Sequence, residues 1–321
     1  MLESAPTQID WSRRLRLADQ NRVLEIRNTD QPARVTVGVP TFNRPETLRR
    51  TLASLARQSF REFVVLISDN AGESQDTIDA IQAFADDLPE VHLVAQKTNI
   101  GALPSMNMLL SCAETDYFMW LADDDEVSGN YLERLVGLLD ADPGASSAMG
   151  GFRMMQNAQD FTDVEQPDTA SPGRARRLFR FVALETNDSF FYGLHRTSNL
   201  RRCRFTDFFY PNKGMLTSWC YLFIFDLLWQ GPIHCARDAA WICHNYSDKQ
   251  YVRARANGIG DRIKTLLRLL NVYLLYCGKA ARRNPLYLAV VLPASILGYA
   301  SEVAAFFVRR LSGNPTKRKL I

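Results

Sequence analysis

The sequence lacks a cysteine pattern that would indicate a disulfide framework or a zinc site. Its six cysteines are scattered at positions 112, 203, 220, 235, 243 and 277 without paired spacing, which is typical of reduced thiols in a cytosolic protein. Histidines adjoin two of them, in His234-Cys235 and Cys243-His244, but the seven residues between those cysteines fit no common zinc module. We therefore expect no structural zinc.

The chain also lacks the usual signals for export, for a glycine-rich phosphate loop and for nucleic-acid binding. Acids and a proline occupy the first ten residues, where a secretory signal peptide would have an apolar core. Neither GxGxxG nor a P-loop sequence follows the first predicted strand. The net charge of +3 is small, and no RNA-binding module is recognisable. We expect a cytoplasmic protein that binds no nucleic acid and neutralises a bound phosphate by other means.

What the sequence does contain is an alternation of apolar strands and amphipathic helices. With 46% hydrophobic and 23% charged residues in 321, its composition is that of a globular protein. Short apolar runs predict buried strands over residues 35–39, 63–67, 91–95 and 117–122, with helices between them. This order predicts an α/β fold with a mostly parallel sheet flanked by helices.

A polar turn follows each of these predicted strands. The four turns are residues 41–44, 69–70, 99–101 and 123–126. Ligands bind beyond the carboxyl ends of parallel strands, so we expect these turns to line one edge of the sheet and form a single binding site.

The last of these turns consists of four consecutive acids, Asp123 to Glu126. Carboxylates at the end of a buried strand repel one another, and each needs a partner or a proton. Hard oxygen ligands suit Mg²⁺ or Mn²⁺, so the run predicts a metal site. The alternative is a charged turn that favours the start of the following helix. The carboxylates and their metal would neutralise a nucleotide diphosphate, while Asp69 is free to accept from the base or ribose.

These motifs resemble the family-2 glycosyltransferases, which are inverting enzymes. The similarity covers about residues 35 to 150 and includes Val39 to Arg44, Ser68 to Asn70, Asn99 to Gly101, Asn107, and the acidic run ending in Tyr131-Leu132. The resemblance implies the GT-A (nucleotide-diphospho-sugar transferase) fold, here with a helical C-terminal extension. It also implies a nucleotide-diphosphate sugar as donor and Mn²⁺ or Mg²⁺ as cofactor.

The resemblance further implies roles for individual residues. It places a DxD-type metal motif on the acidic run, with Asp124 as the usual ligand and with Asp123 and Asp125 competing for the second role. His244 lies in a segment similar to the family's closing segment and would approach the metal or the diphosphate. Met106 replaces an arginine common in the family. The residues implied for the nucleotide sugar are Pro40, Thr41, Asn43, Arg44, Asp69, Asn99, Gly101, Asn107 and Asp123, and those implied for the metal are Asp124, Asp125 and His244.

Inversion at the anomeric carbon requires a carboxylate that removes the acceptor's proton. The family places this base before an apolar helix and a glycine-containing turn, which here resemble residues 219–229 and 230–232. Thr217-Ser218 occupies the expected acid position. The candidate catalytic bases are therefore Asp207 and Asp226, and a hydrogen-bonded helix carboxylate is the alternative for Asp226.

The chain divides into four predicted segments. Residues 1–33 form an N-terminal extension, 34–150 the nucleotide-sugar-binding half, 151–255 the acceptor-binding half and 256–321 a helical segment. Arginines crowd the stretch from 174 to 204. They would hold an anionic acceptor or form a solvated basic face.

The C-terminal segment has the pattern of a membrane-associated helix. The sixteen residues from Leu286 to Ser301 carry no charge, which is fewer than the roughly 20 that span a bilayer. Basic residues on both sides favour a helix lying on an anionic leaflet, so we expect peripheral contact with the inner face of the membrane. A packed helix hairpin and a full span over residues 286–308 are the alternatives.

The sequence thus predicts a metal-dependent inverting glycosyltransferase. It would move a sugar from a nucleotide-diphosphate sugar to a glycan or lipid-linked acceptor, as in surface polysaccharide synthesis. The second hypothesis is a metal-dependent nucleotidyltransferase, which the missing phosphate loop disfavours. The third is a catalytically inactive scaffold that binds nucleotide sugar, which the missing acid near Ser218 leaves open.

Overall fold

The structure of the protein is a computed structural model. It describes residues 22–27, 32–70, 75–155, 161–164, 169–171, 173–184, 189–203, 209–210, 214–215, 219–244 and 259–311. The strands are β1 (Arg22–Arg27), β2 (Val35–Thr41), β3 (Phe63–Asp69), β4 (Val91–Ala95), β5 (Tyr117–Trp120), β6 (Glu126–Val127), β7 (Ser147–Met155), β8 (Phe161–Val164), β9 (Leu194–Arg196), β10 (Phe209–Tyr210), β11 (Gly214–Met215) and β12 (Ile233–His244). The helices are α1 (Pro45–Ala56), α2 (Gln75–Gln82), α3 (Ala102–Cys112), α4 (Tyr131–Ala141), α5 (Arg174–Ala183), α6 (Thr197–Leu200), α7 (Trp219–Gln230), α8 (Ile259–Arg283) and α9 (Leu288–Leu311).

One mixed sheet organises the described chain, in the order β1-β4-β3-β2-β5-β9-β7-β12-β6, with β8 paired to β7. The predicted parallel part is confirmed, because β2 pairs in parallel with both β3 and β5, and β3 pairs in parallel with β4. Strand β9 is antiparallel to β5 and β7 and joins the two halves. Within the predicted N-terminal extension, residues 1–33, β1 adds an antiparallel strand beside β4.

The core lies where the sequence has its apolar runs. Every residue of β3 is buried, because helices cover both faces of a parallel strand. On α1 the buried apolar side chains are Leu48, Leu52 and Leu55, whose spacing of three and four residues places them on one face. The helix begins at Pro45, where proline is tolerated because the first amides have no helical partner.

Helices α5, α7, α8 and α9, all in the chain's second half, pack together as a bundle. Helix α9 packs closely on α5: a Cβ added at Gly298 would lie 2.3 Å from the carbonyl oxygen of Val182. Only a glycine permits this approach. Among the described residues, Pro285–Ala304 is a helical segment long and apolar enough to cross a membrane, with a mean hydropathy of 1.6.

Several of the crowded arginines are built into the fold. Arg177 donates to Leu228 O (2.5 Å) and Arg174 to Trp229 O (2.8 Å), both near the end of α7. Arg196 donates to Leu139 O at 2.6 Å, and Arg201 donates to Ala113 O. Cations suit helix carboxyl ends, where carbonyls lack helical partners. These four arginines therefore make hydrogen bonds within the fold, in addition to any contact with an anionic acceptor or with solvent.

Candidate active site

The predicted turns do meet at one edge of the sheet. Thr41 lies opposite Asp69 at the ends of β2 and β3, and Asp69 lies opposite Ala95 at the end of β4. Asn70 N donates to Thr41 O at 2.9 Å, which carries the pairing one residue past the strands. The acidic run begins three residues after β5, the other parallel neighbour of β2. The strand ends thus bring Thr41, Asp69 and the start of the acidic run to one edge.

Asp123 and Asp124 face the turn that follows β2. Thr41 Oγ1 donates to Asp123 Oδ2 at 2.7 Å, and Arg44 Nη1 lies 3.2 Å from Asp123 Oδ1 and 3.0 Å from Asp124 Oδ2. Burial raises the pKa of Asp123 to about 6, although the Thr41 hydrogen bond opposes the shift. Asp124 is the more accessible of the two, with 29% of its side chain exposed against 8% for Asp123.

Asp125 points away from this turn. It is only 4% exposed, and its Oδ2 accepts a hydrogen bond from Trp241 Nε1 at 3.1 Å. Burial, together with the charge of Asp124, raises the pKa of Asp125 to about 8. The oxygen of Asp125 that accepts from Trp241 is thus directed at β12 and not at the turn that holds Asp123 and Asp124.

Glu126 and His244 form a second contact on the same side as Asp125. His244 Nε2 lies 2.7 Å from Glu126 Oε1, and Arg57 Nη2 lies 3.4 Å from Glu126 Oε2. The contact joins β6 to the end of β12, whose backbones pair antiparallel at Ile242 and Glu126. His244 is therefore directed at a carboxylate of the run itself.

Asp69 is a buried carboxylate with an unused acceptor. It is 1% exposed, and its Oδ1 has no hydrogen-bond partner among the described residues. Burial raises its pKa, and the neighbouring Thr77 hydroxyl opposes that shift. Phe42 stands one residue beyond the partner strand and is 43% exposed. A buried acceptor beside an exposed aromatic ring is suited to a planar, hydrogen-bonding base.

The turn after β4 is fixed by two asparagines. Asn70 Nδ2 donates to Asn99 Oδ1 at 2.9 Å, Gly101 N donates to the same oxygen at 2.9 Å, and Ile100 N donates to Asn70 Oδ1 at 2.8 Å. Gly101 has a φ of 89°, which other residues rarely adopt. Asn99 and Gly101 thus determine the shape of this turn. The sequence analysis assigned both residues to contact with the nucleotide sugar and could not distinguish the two roles.

Three other predicted contacts lie near this edge without a shown role. Pro40 is half-buried in β2, and Asn43, with a φ of 53°, is exposed in the turn before α1. Asn107 is exposed on α3. Phe42, which was not among the predicted site residues, is exposed in the turn after β2, and its place in that turn is the signal that makes it a candidate.

The predicted three-ligand metal set is not assembled. No group of three or more His, Cys, Asp or Glu side chains in the described ranges is placed to hold a metal ion. Asp125 hydrogen-bonds to Trp241, and His244 contacts Glu126. Asp124 fits a different arrangement, because Mg²⁺ and Mn²⁺ beside a nucleotide commonly take one or two carboxylates with phosphates and water.

Of the two candidate catalytic bases, the structure describes only Asp226. Asp207 lies outside the described residues. Asp226 is 1% exposed on α7, where Lys279 Nζ lies 2.7 Å from its Oδ2 and Arg283 Nη2 lies 2.8 Å from its Oδ1. A buried carboxylate held between two cations is a structural group, so the geometry favours the helix-carboxylate alternative for Asp226.

Comparisons with known proteins agree with the fold. The sequence profile of glycosyl transferase family 2 matches residues 36–222, more than half of the chain. The chain is 24% identical over 184 residues to a GalNAc(5)-diNAcBac-PP-undecaprenol beta-1,3-glucosyltransferase of Campylobacter jejuni, covering 57% of this chain and 58% of that protein. It is also 24% identical over 106 residues to the amylovoran biosynthesis glycosyltransferase AmsB of Erwinia amylovora, covering 33% and 35%.

Among solved structures, S. aureus TarS 1-349 in complex with UDP-GlcNAc superposes with a TM-score of 0.54 at 19% identity, over 74% of this chain and 67% of that one. Mannosyltransferase PcManGT from Pyrobaculum calidifontis, in complex with GDP-Man and Mn²⁺, gives 0.50 at 16% identity, over 95% and 82%. These likenesses establish the GT-A fold. The chain spans only 23% to 58% of the length of the first three curated relatives.

Proposed function

The chain belongs to glycosyl transferase family 2, and from this premise we propose that it transfers a sugar, with inversion, from a nucleotide-diphosphate sugar to a hydroxyl of a glycan or lipid-linked acceptor. The observation that carries the proposal is the shared edge of Asp69 and Asp123-Asp124. A buried acceptor without a partner lies on one strand end there, and a carboxylate pair follows another. The base of a nucleotide needs a hydrogen-bond acceptor, and its diphosphate needs carboxylates that hold a neutralising cation.

Binding of the donor would use both features. Asp69 Oδ1 would accept from the base while Phe42 covers its face. Thr41 and Arg44 hold Asp123 in place, and Arg44 adds a positive charge where the diphosphate would lie. Similarity to proteins solved with UDP-GlcNAc and with GDP-Man supports a nucleotide sugar but leaves the base open.

Metal dependence is part of the proposal. Asp124 is the residue that would hold Mn²⁺ or Mg²⁺, together with the donor's own phosphates. When bound, such a cation stabilises negative charge on the leaving diphosphate. Asp123, which Thr41 and Arg44 orient, is the neighbouring group that would contact the donor.

The chemical step is a single displacement at the anomeric carbon. A carboxylate takes the proton of the acceptor hydroxyl as its oxygen bonds to the sugar, and the bond to the nucleotide diphosphate breaks. Asp207 is our candidate for that base, because Asp226 is already paired with Lys279 and Arg283.

We also propose that the C-terminal helices rest on an anionic leaflet. Leu286 in the turn before α9, and Leu292, Ile296 and Leu297 on α9, are apolar side chains that are 49% to 81% exposed. Arg282 is exposed at the end of α8, which supplies the positive charge that such a surface attracts. This arrangement is typical of peripheral contact and would place a cytoplasmic enzyme beside a lipid-linked acceptor.

Turnover of a panel of UDP-, GDP- and dTDP-sugars, with and without Mn²⁺, tests the function. We expect one donor to be consumed in the presence of acceptor extract, and we expect Asp124→Asn to abolish that turnover and to weaken Mn²⁺-dependent nucleotide binding. Undiminished turnover in EDTA would contradict the metal role. Pyrophosphate release from a nucleoside triphosphate would support nucleotidyl transfer instead, and nucleotide binding without donor consumption would support a scaffold.

A further inference from the structure

The four acids of the run have two different sets of partners. We propose that Asp125 and Glu126 are positioning residues that hold β12, and with it the acceptor-binding half, against the nucleotide-binding edge. The proposal rests on the function proposed above, since it assigns the second pair of acids a task in the same site. It replaces the metal-ligand roles predicted for Asp125 and His244.

The side chains of the run point in opposite directions. Asp123 and Asp124 contact Thr41 and Arg44, which follow β2 in the nucleotide-binding half. Asp125 Oδ2 instead accepts from Trp241 Nε1, 116 residues later in the chain. The run therefore contacts the nucleotide-binding half through its first two acids and β12 through its last two.

Trp241 is itself held rigidly. Its ring lies between Phe152, with centroids 4.6 Å apart, and Tyr192, with centroids 4.7 Å apart, and both pairs are stacked. The residue is 4% exposed. With both ring faces covered, its indole N–H has a fixed direction, so the bond to Asp125 fixes the end of β12 relative to the run.

Further bonds follow on the next residues of β12. The Cys243 side chain and the His244 backbone N–H also hydrogen-bond to Asp125. His244 Nε2 lies 2.7 Å from Glu126 Oε1, and the backbones of β6 and β12 pair at the same place. Contacts over residues 241–244 thus converge on two adjacent acids.

This contact matters for the reaction because β12 belongs to the acceptor-binding half. The strand runs parallel to β7 over its length, from the pair of Ile233 and Ser147 to that of His244 and Met155. Its carboxyl end is therefore placed at the same edge as the nucleotide turns. A shift of β12 would move the acceptor's side of the site relative to the sugar, and small displacements of a reacting group lower the rate strongly.

Three variants and two kinds of readout test the inference. Trp241→Phe removes only the indole N–H, Asp125→Ala removes the acceptor, and Asp125→Asn keeps an acceptor oxygen in the same place. For Trp241→Phe and Asp125→Ala we expect amide exchange over residues 233–244 to accelerate about tenfold and the acceptor KM to rise about tenfold, as loss of one buried hydrogen bond implies. Asp125→Asn should restore both values toward wild type.

Nucleotide binding separates this role from metal ligation. Calorimetry with UDP or GDP and Mn²⁺ should give dissociation constants within about twofold of wild type for Trp241→Phe and Asp125→Asn, but a large loss for Asp124→Asn. If Asp125→Asn loses Mn²⁺-dependent binding as Asp124→Asn does, Asp125 is a metal ligand and the inference fails. Unchanged exchange in Trp241→Phe would also overturn it. If the wild-type protein transfers no sugar, only the proposed function fails. Amide exchange and nucleotide binding still decide whether Asp125 and Glu126 hold β12 in place.

Discussion

Lys279 Nζ lies 2.7 Å from Asp226 Oδ2, and both side chains are nearly inaccessible, at 6% and 1% exposed. The pair joins α7 to α8 across 53 residues of sequence. Arg283 approaches the second oxygen of the same carboxylate at 2.8 Å. Asp226 is therefore held between two cations within the helical bundle, and this geometry favours a structural group over a catalytic base.

Asp226→Asn should destabilise the protein, and Asp207→Asn should lower kcat. The first change leaves the Lys279 ammonium buried without its carboxylate, which costs about 3–5 kcal/mol in comparable buried pairs. The second change removes the carboxylate that we propose as the base. Urea unfolding and donor turnover measure the two effects.

The double variant Asp226→Leu with Lys279→Met is the control for this prediction. It removes both members of the buried pair, so it should recover much of the lost stability. A fully stable but inactive Asp226→Asn protein would contradict the structural role and make Asp226 the base again.

The sequence was sufficient for the parallel part of the sheet and for the edge that carries the site. Apolar runs such as 63–67 are local signals of buried strands, and the strand–helix alternation determines that their carboxyl ends coincide. The structure confirms these strands and brings Thr41, Asp69 and Asp123 to one edge. All of this follows from short-range patterns.

The sequence could not determine the partner of each acid. Asp125 and Asp124 are adjacent in the run, yet one faces Trp241 of β12 and the other Arg44. Asp226 sits in an apolar helix, and its cations come from α8. Such pairings depend on how distant segments pack. For the same reason, the arginines that donate to helix carbonyls could not be distinguished from a solvated basic face.

Asp69→Ala should weaken nucleotide binding. The change removes the buried acceptor that the proposal assigns to the base, and a hydrogen bond to a charged group contributes about 1.5–3 kcal/mol, or roughly 10- to 100-fold in dissociation constant. Calorimetry with UDP and with GDP measures the loss and shows which base is preferred. Asp76→Ala is the matched control, because Asp76 is exposed on the neighbouring helix α2. Equal affinities of the Asp69 and Asp76 variants would refute the base contact.

Ile296→Glu should reduce binding to anionic vesicles. Ile296 is 63% exposed on α9, so the fold tolerates the change, but a charge replaces apolar surface that would enter the leaflet. Loss of one buried side chain of this size costs about 1.5–3 kcal/mol, or roughly 10- to 100-fold in vesicle partitioning. Sedimentation with phosphatidylglycerol vesicles measures it.

Gln82→Glu is the matched control for this change, since it adds the same charge at an exposed position on α2. It should leave vesicle binding unaltered. If the wild-type protein does not sediment with anionic vesicles at all, the exposed apolar residues of α9 do not bind an anionic leaflet and the membrane proposal fails.

His195→Gln should make stability less sensitive to acid. His195 is fully buried; Nε2 lies 3.0 Å from the carbonyl oxygen of Phe191, which can only accept, so Nδ1 accepts from Ser147 Oγ at 2.8 Å. Burial lowers the pKa of His195 from 6.5 to about 4. Between these values the unfolded chain binds a proton that the folded protein does not. Stability contributed by the neutral ring is therefore present above pH 6.5 and is lost as the pH falls toward 4, by roughly 3 kcal/mol.

Urea unfolding at pH 7 and pH 4.5 measures this slope in wild type and variant. The raised pKa of Asp125 acts in the opposite direction, because the folded protein holds that proton more tightly, but it is common to both proteins and cancels in the comparison. Ser147→Ala is the control that keeps the imidazole, so its stability should fall with acid as steeply as that of wild type. Equal slopes for His195→Gln and wild type would show that the buried ring does not govern the acid response.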